Sequence, residues 1–62
     1  MLSRTIRWTR KRKRMTQVDL ARRARISQPF VVALEAGTRN PSLTVLRRLA
    51  KAFGVPVTEL LK

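Results

Sequence analysis

Residues 16–37 read "TQVDLARRARISQPFVVALEAG", and the way this stretch divides decides the fold. Thr16 suits an N-cap, because its hydroxyl can accept one of the unpartnered backbone N–H groups of a first helical turn. Asp19, three residues on, completes a capping-box pattern and sets a negative charge at the positive end of the helix dipole. The spacing predicts a helix from Gln17 to Ala24, with Leu20, Ala21 and Ala24 on one face. Arg25 and Ile26 form a short turn, Ser27 is the next N-cap, and a second helix runs from Gln28 to Ala36. Pro29 fits the first turn of that helix, where its missing N–H has no intrahelical partner to lose. Gly37 follows at the position where a left-handed backbone closes a helix most easily. Val31 and Leu34 then face inward with Leu20 and Ile26, and Ala21 is the small residue that the helix crossing needs.

The flanks extend the same pattern. Upstream, Leu2, Ile6 and Thr9 or Arg10 recur at helical spacing, so a helix is expected from Leu2 to about Lys13, with Arg4, Arg7, Lys11 and Arg12 mostly elsewhere around the wheel. Downstream, "TRNPS" is a loop by composition, and Ser42 caps a helix from Leu43 to Phe53. Leu43, Leu46, Leu49, Ala50 and Phe53 form its core stripe, while Arg47, Arg48 and Lys51 point outward. Gly54 ends it, Val55 and Pro56 turn, and "VTELLK" is a short last helix with Thr58 near its start. The expected fold class is all-α: a compact bundle of about five short helices in a single domain over residues 1–62, with no repeat or linker. A chain of this size buries only about 60% of the surface its unfolded form exposes, so its stability is modest and a second sensor or catalytic domain is not expected. Its 44% hydrophobic content nevertheless sets it apart from disordered chains of similar charge.

That charge is +12, from 15 Lys and Arg against three acids, and it calls for a polyanionic partner. Nucleic acid is the leading candidate and an anionic membrane surface the second. The chain has no Cys and no His, which removes disulfides, zinc fingers and the commonest general base. Asp19, Glu35 and Glu59 are dispersed in sequence, so no catalytic residue, metal site or cofactor is expected. No apolar run is long enough to span a bilayer, and "LSRTIRW" is not followed by a signal-like apolar region. A cytoplasmic, nucleoid-associated protein is therefore expected.

Two short helices joined by a tight turn, over residues 17–36, form the unit that DNA-binding folds use to set one helix across the phosphate backbone and the next in the major groove. Many helical hairpins share that spacing. Beyond it, the sequence from Met15 to Leu61 resembles the Cro/phage-repressor type of helix-turn-helix, the XRE family, with a weaker likeness through Leu2 to Arg14. The likeness is carried by "TQ..LA" at Thr16 to Ala21, "SQ......E.G" at Ser27 to Gly37, "R.PS...L..LA.A" at Arg39 to Ala52, and "GV....LL" at the end.

The resemblance implies that Thr16 and Gln17 meet a DNA phosphate, and that Ser27, Gln28, Pro29, Val32 and Ala33 are the base-facing positions. It also implies that Thr38, Arg39 and Asn40 flank phosphates, that Arg10 pairs with Glu35, and that a dimer surface lies around Pro56, Val57 and Leu61. Read as residues, Gln28 can bond bidentately to adenine N6/N7, and Val32 with Ala33 suits thymine methyl groups. Lys11, Arg12, Lys13 and Arg14 supply sequence-independent attraction for phosphates. Trp8 fits a core position or a partner contact better than a membrane anchor. The chain departs from the family at Arg25, where Gly is usual, at Arg14, where many relatives have Gly, and at Thr9, where an apolar residue is common.

These features together lead to a non-enzymatic, sequence-specific double-stranded-DNA-binding transcriptional regulator, expected to repress as a homodimer that is weak off DNA. The alternative is an antitoxin with a toxin as protein partner, which would share every feature above. An RNA-binding or architectural protein would show little sequence preference.

Overall fold

Each of the three Ser and Thr caps opens a helix in the computed structural model of the chain, which describes residues 2–62. Among these residues the helices are α1 (Leu2–Arg12), α2 (Gln17–Ala24), α3 (Gln28–Ala36), α4 (Leu43–Phe53) and α5 (Val57–Leu60), with no strand. The Thr16 cap is reciprocal: the Asp19 N–H donates to Thr16 Oγ1 at 3.0 Å, and the Thr16 N–H donates to Asp19 Oδ2 at 2.9 Å. That backbone N–H, then the Thr16 hydroxyl, hold the Asp19 carboxyl below the usual carboxylate range, with Arg23 and Arg22 adding to the effect. The Phe30 N–H donates to Ser27 Oγ and the Val45 N–H to Ser42 Oγ, each at 3.1 Å. α5 starts on Pro56 with no side-chain cap.

Helix ends follow the same local logic with two left-handed exceptions, Arg14 after α1 and Arg25 after α2. Gly37 and Gly54 close α3 and α4 with φ of 79° and 72°. Arg25 closes α2 with φ 58° and ψ 46°, and the Ile26 N–H donates back to Ala21 O at 3.0 Å. The turn therefore keeps the geometry usual for a glycine and imposes it on an arginine, whose Cβ crowds the following carbonyl. Arg25→Gly is expected to stabilise the fold by about 0.5 to 1 kcal/mol, the relief of that crowding less the added freedom of the unfolded chain. A higher urea midpoint at unchanged slope would register it, and a lower midpoint would show that the Arg25 side chain does more for the fold than its backbone costs.

α2 is the centre of the packing. It lies against α3 on one side and α4 on another, while α1 packs on α3 and α5, and α4 on α5. Ile6, Leu20, Val31, Leu34, Leu49 and Leu60 are almost fully buried in one core, with Met15, Ala21, Ala24, Leu46, Ala50 and Phe53 around them. One expectation needs correction. Leu43 is 58% exposed, because it is the first residue of α4 and projects past the elements that cover the rest of its stripe. Of the two places expected for Trp8, the core is excluded, since the side chain is 60% exposed, with the Arg12 guanidinium 4.7 Å from its ring centroid. Phe30 is half-buried at the edge of the core.

Candidate nucleic-acid interface

The two helix starts at the middle of the chain present different donors. At α2, the Asp19 N–H is used by Thr16 Oγ1 and the Leu20 N–H by Thr16 O. The backbone N–H groups of Gln17 and Val18 are left at the positive end of a helix dipole, an arrangement suited to an anion. At α3, Pro29 has no N–H, and those of Phe30 and Val31 are bonded to Ser27. Only the Gln28 N–H remains there, so the start of α3 is a poorer anion site and offers mainly side chains.

Those side chains are Ser27, Gln28, Pro29 and Val32, all exposed, with Val32 at 45%, and Ala33, which is half-buried. Val31 and Leu34 on the opposite face are buried. Beyond α3 the chain wraps back on it. Thr38 Oγ1 donates to Ala33 O at 3.3 Å, and the Arg39 guanidinium lies 5.4 Å from the Phe30 ring centroid. Thr38, Arg39 and Asn40 are all exposed, and Arg39 is held beside α3 by its ring contact.

Beneath this surface is a network centred on Glu35. Arg10 Nε donates to Glu35 Oε2 at 2.6 Å and Arg10 Nη2 to Glu35 Oε1 at 3.1 Å, with side-chain exposures of 11% and 5% for Arg10 and Glu35. Arg10 Nη1 donates to Met15 O at 2.8 Å, tying the chain between α1 and α2 into the same network. Gln17 Nε2 also donates to Glu35 Oε1, at 3.2 Å. The Gln17 side chain is thus engaged inside the fold, and its backbone N–H is the group left facing outward.

A shallow concavity of about 280 Å³ joins the elements, lined by Arg7, Arg10, Lys11, Gln17, Val32, Glu35 and Ala36. It brings Gln17 and Val32 together with two exposed cations, Arg7 and Lys11. Arg7 is the residue that the sequence reading missed. Its only signal there was its place four residues before Lys11 on α1, hidden by the many other arginines of that helix. The basic run 11–14, conversely, does not form one face. Lys11 lies on this α1–α3 side, whereas Arg12 and Lys13 line a separate groove with Trp8, Val55 and Glu59. Arg14 turns the chain with φ 55°. Around α5, Pro56 and Leu61 are exposed, and Val57 is half-buried against the core. No helix among the described residues is long and apolar enough to cross a membrane.

Comparison with known proteins places this geometry. The family described as Helix-turn-helix matches residues 6–60. The immunity repressor protein of Bacillus phage phi105 is 37% identical over 51 residues, covering 82% of this chain and 35% of that protein. The HTH-type transcriptional regulator DdrOP3 of Deinococcus deserti is 46% identical over 44 residues, 71% of this chain and 34% of that protein. The chain thus spans about a third of the length of these two relatives. Among solved structures, the restriction-modification controller protein C.AhdI from Aeromonas hydrophila superposes with a TM-score of 0.93 at 30% identity, covering 95% of this chain and 89% of that one.

Proposed function

The chain belongs to the XRE-type helix-turn-helix family of DNA-binding regulators, and on that premise we propose that it is a sequence-specific double-stranded-DNA-binding transcriptional regulator that represses by occupying an operator. The observation that carries the reading is the division of labour between the two helix starts. α2 offers free backbone N–H groups for a phosphate, and α3, beside it, offers an exposed Gln28 and Val32 on a helix whose other face is buried.

In this mechanism the Gln17 and Val18 N–H groups, with Thr16 beside them, grip one phosphate and fix the register. Thr38, Arg39 and Asn40 flank the next phosphates, and phosphate contacts of this kind position the protein without reading sequence. Gln28 donates to adenine N7 and accepts from adenine N6, while Val32 and the accessible part of Ala33 pack on thymine methyl groups. Ser27, already accepting from Phe30, keeps its hydroxyl proton for a phosphate or base acceptor. Lys11 and Arg7, on the α1–α3 side, add salt-sensitive attraction. A second copy, docked through Pro56, Val57 and Leu61, would set two α3 helices about 34 Å apart, one turn of DNA. This patch is small, so association is weak until DNA holds both copies.

Two substitutions separate reading from gripping. Gln28→Ala is expected to cost about 1 to 3 kcal/mol of binding at sites carrying the recognised base pair, and little elsewhere. Arg39→Ala is expected to weaken all sequences alike and to lower the salt slope by about one. Fluorescence anisotropy with matched and mismatched duplexes over a salt series measures both. Were Gln28→Ala to change neither affinity nor preference, base reading would have to be assigned elsewhere.

A further inference from the structure

We propose that the groove between the C-terminal end of α2 and the outer face of α4 is a second phosphate-binding surface, which takes the backbone of a second DNA duplex while α3 holds the first. The inference rests on the DNA-binding reading above and extends it to a face that reading does not use. The groove, of about 580 Å³, is lined by Arg23, Ala24, Arg25, Arg48, Lys51 and Ala52. The two alanines form its floor, and the four exposed cations stand around them.

The chain's own acids do not neutralise these charges. Glu35 is committed to Arg10 and Gln17, Glu59 bonds Lys62, and Asp19 is the carboxylate of the α2 capping box. Arg23, and Arg22 beside the groove, lie close enough to Asp19 to lower its pKa. The negative end of the α2 dipole explains cations at Arg22, Arg23 and Arg25. It does not explain Arg48, and although Lys51 sits in the last turn of α4, where that helix's own dipole favours a cation, the two lie three apart along α4, where like charges repel. A polyanion held across the groove would relieve that repulsion.

The occupant follows from the donors. A compact, tightly held phosphate calls for converging backbone N–H groups, as at a helix N-terminus. Here the helix end presents carbonyls instead, and the cations are long side chains on the rim, with exposed Arg22 and Arg47 continuing the basic strip. Such a strip suits the repeated phosphates of a duplex, met at a distance by flexible side chains. α2 separates α4 from α3 in the packing, and the groove shares no residue with the concavity on the α1–α3 side. Arg25 is only two residues before Ser27, at a rim within reach of both surfaces, so Arg48 and Lys51 are the diagnostic pair.

The test is a bridging assay with the full chain. A duplex selected for tight binding is fixed to beads, and retention of a labelled duplex of unrelated sequence is measured at low salt. Wild type is expected to retain the second duplex. Arg48→Gln/Lys51→Gln, both exposed positions, is expected to retain at least about fivefold less. Its affinity for a single duplex, read by anisotropy, should change by less than about twofold, and its circular dichroism should not change. Equal retention by the variant overturns the proposal, since two α3 faces of a dimer would then be doing the bridging. Parallel loss of single-duplex affinity overturns it by assigning both residues to the first duplex. Stronger competition by tripolyphosphate or single-stranded RNA than by duplex DNA overturns it by assigning the groove another anion. Wild type that binds the first duplex without retaining the second overturns this inference alone, whereas wild type that binds neither overturns the DNA-binding reading with it.

Discussion

Glu35→Ala is expected to destabilise the protein by about 3 kcal/mol or more. The carboxylate is 5% exposed and receives two hydrogen bonds from Arg10 and one from Gln17. Its removal leaves the Arg10 guanidinium, 11% exposed, with Met15 O as its remaining partner. A stranded charge costs more than the pair contributed, because desolvation is no longer offset. A core of this size rarely supplies more than about 3 to 5 kcal/mol in total, so the variant should be largely unfolded near room temperature. Thermal and urea denaturation followed by circular dichroism would show this. The double variant Arg10→Met/Glu35→Leu should recover much of the loss, since well-packed apolar replacements of buried pairs are often close to neutral. It should not recover DNA binding in full, because Gln17 would lose the partner that orients it at the start of α2. A Glu35→Ala protein as stable as wild type would show that Arg10 finds water freely, contrary to its burial.

Leu20→Ala is the second large effect, expected at about 2 to 5 kcal/mol, the lost transfer energy plus the cavity left behind. Leu20 is wholly buried on α2, the helix that packs on both α3 and α4, so neither neighbour can close over the gap without leaving the other. The same truncation at Leu43, 58% exposed, should stay within about 0.5 kcal/mol. Similar losses at the two positions would contradict the description of the core.

The contrast between those leucines shows what a sequence can and cannot convey. Helix boundaries were legible because they depend on neighbours a few residues away: Thr16 with Asp19, Ser27 with Phe30, Ser42 with Val45, and Gly37 and Gly54 at the ends. The inward face of α2 and α3 was legible for the same reason. Periodicity says which side chains share a face, but not how far along its length that face is covered, which is why Leu43 was misplaced. Gln17 illustrates a different limit. Its position at the start of α2 could be read, but the engagement of its amide by Glu35, 18 residues away, depends on tertiary packing. The split of the 11–14 run between two surfaces, and the recruitment of Arg7 to the α3 side, likewise depend on where α1 crosses its neighbours.

The α3 surface carries one long polar reading group, Gln28, with methyl contacts beside it, so discrimination should be modest and part of it should come from DNA shape. Selection of binding sites from a pool of random-sequence duplexes by the full chain tests the central claim most directly. The expected result is enrichment of a motif with two half-sites whose centres lie about 10 base pairs apart, containing an A·T pair whose preference disappears in the Gln28→Ala protein. Binding that grows with duplex length and falls with salt, yet enriches no sequence, would contradict it.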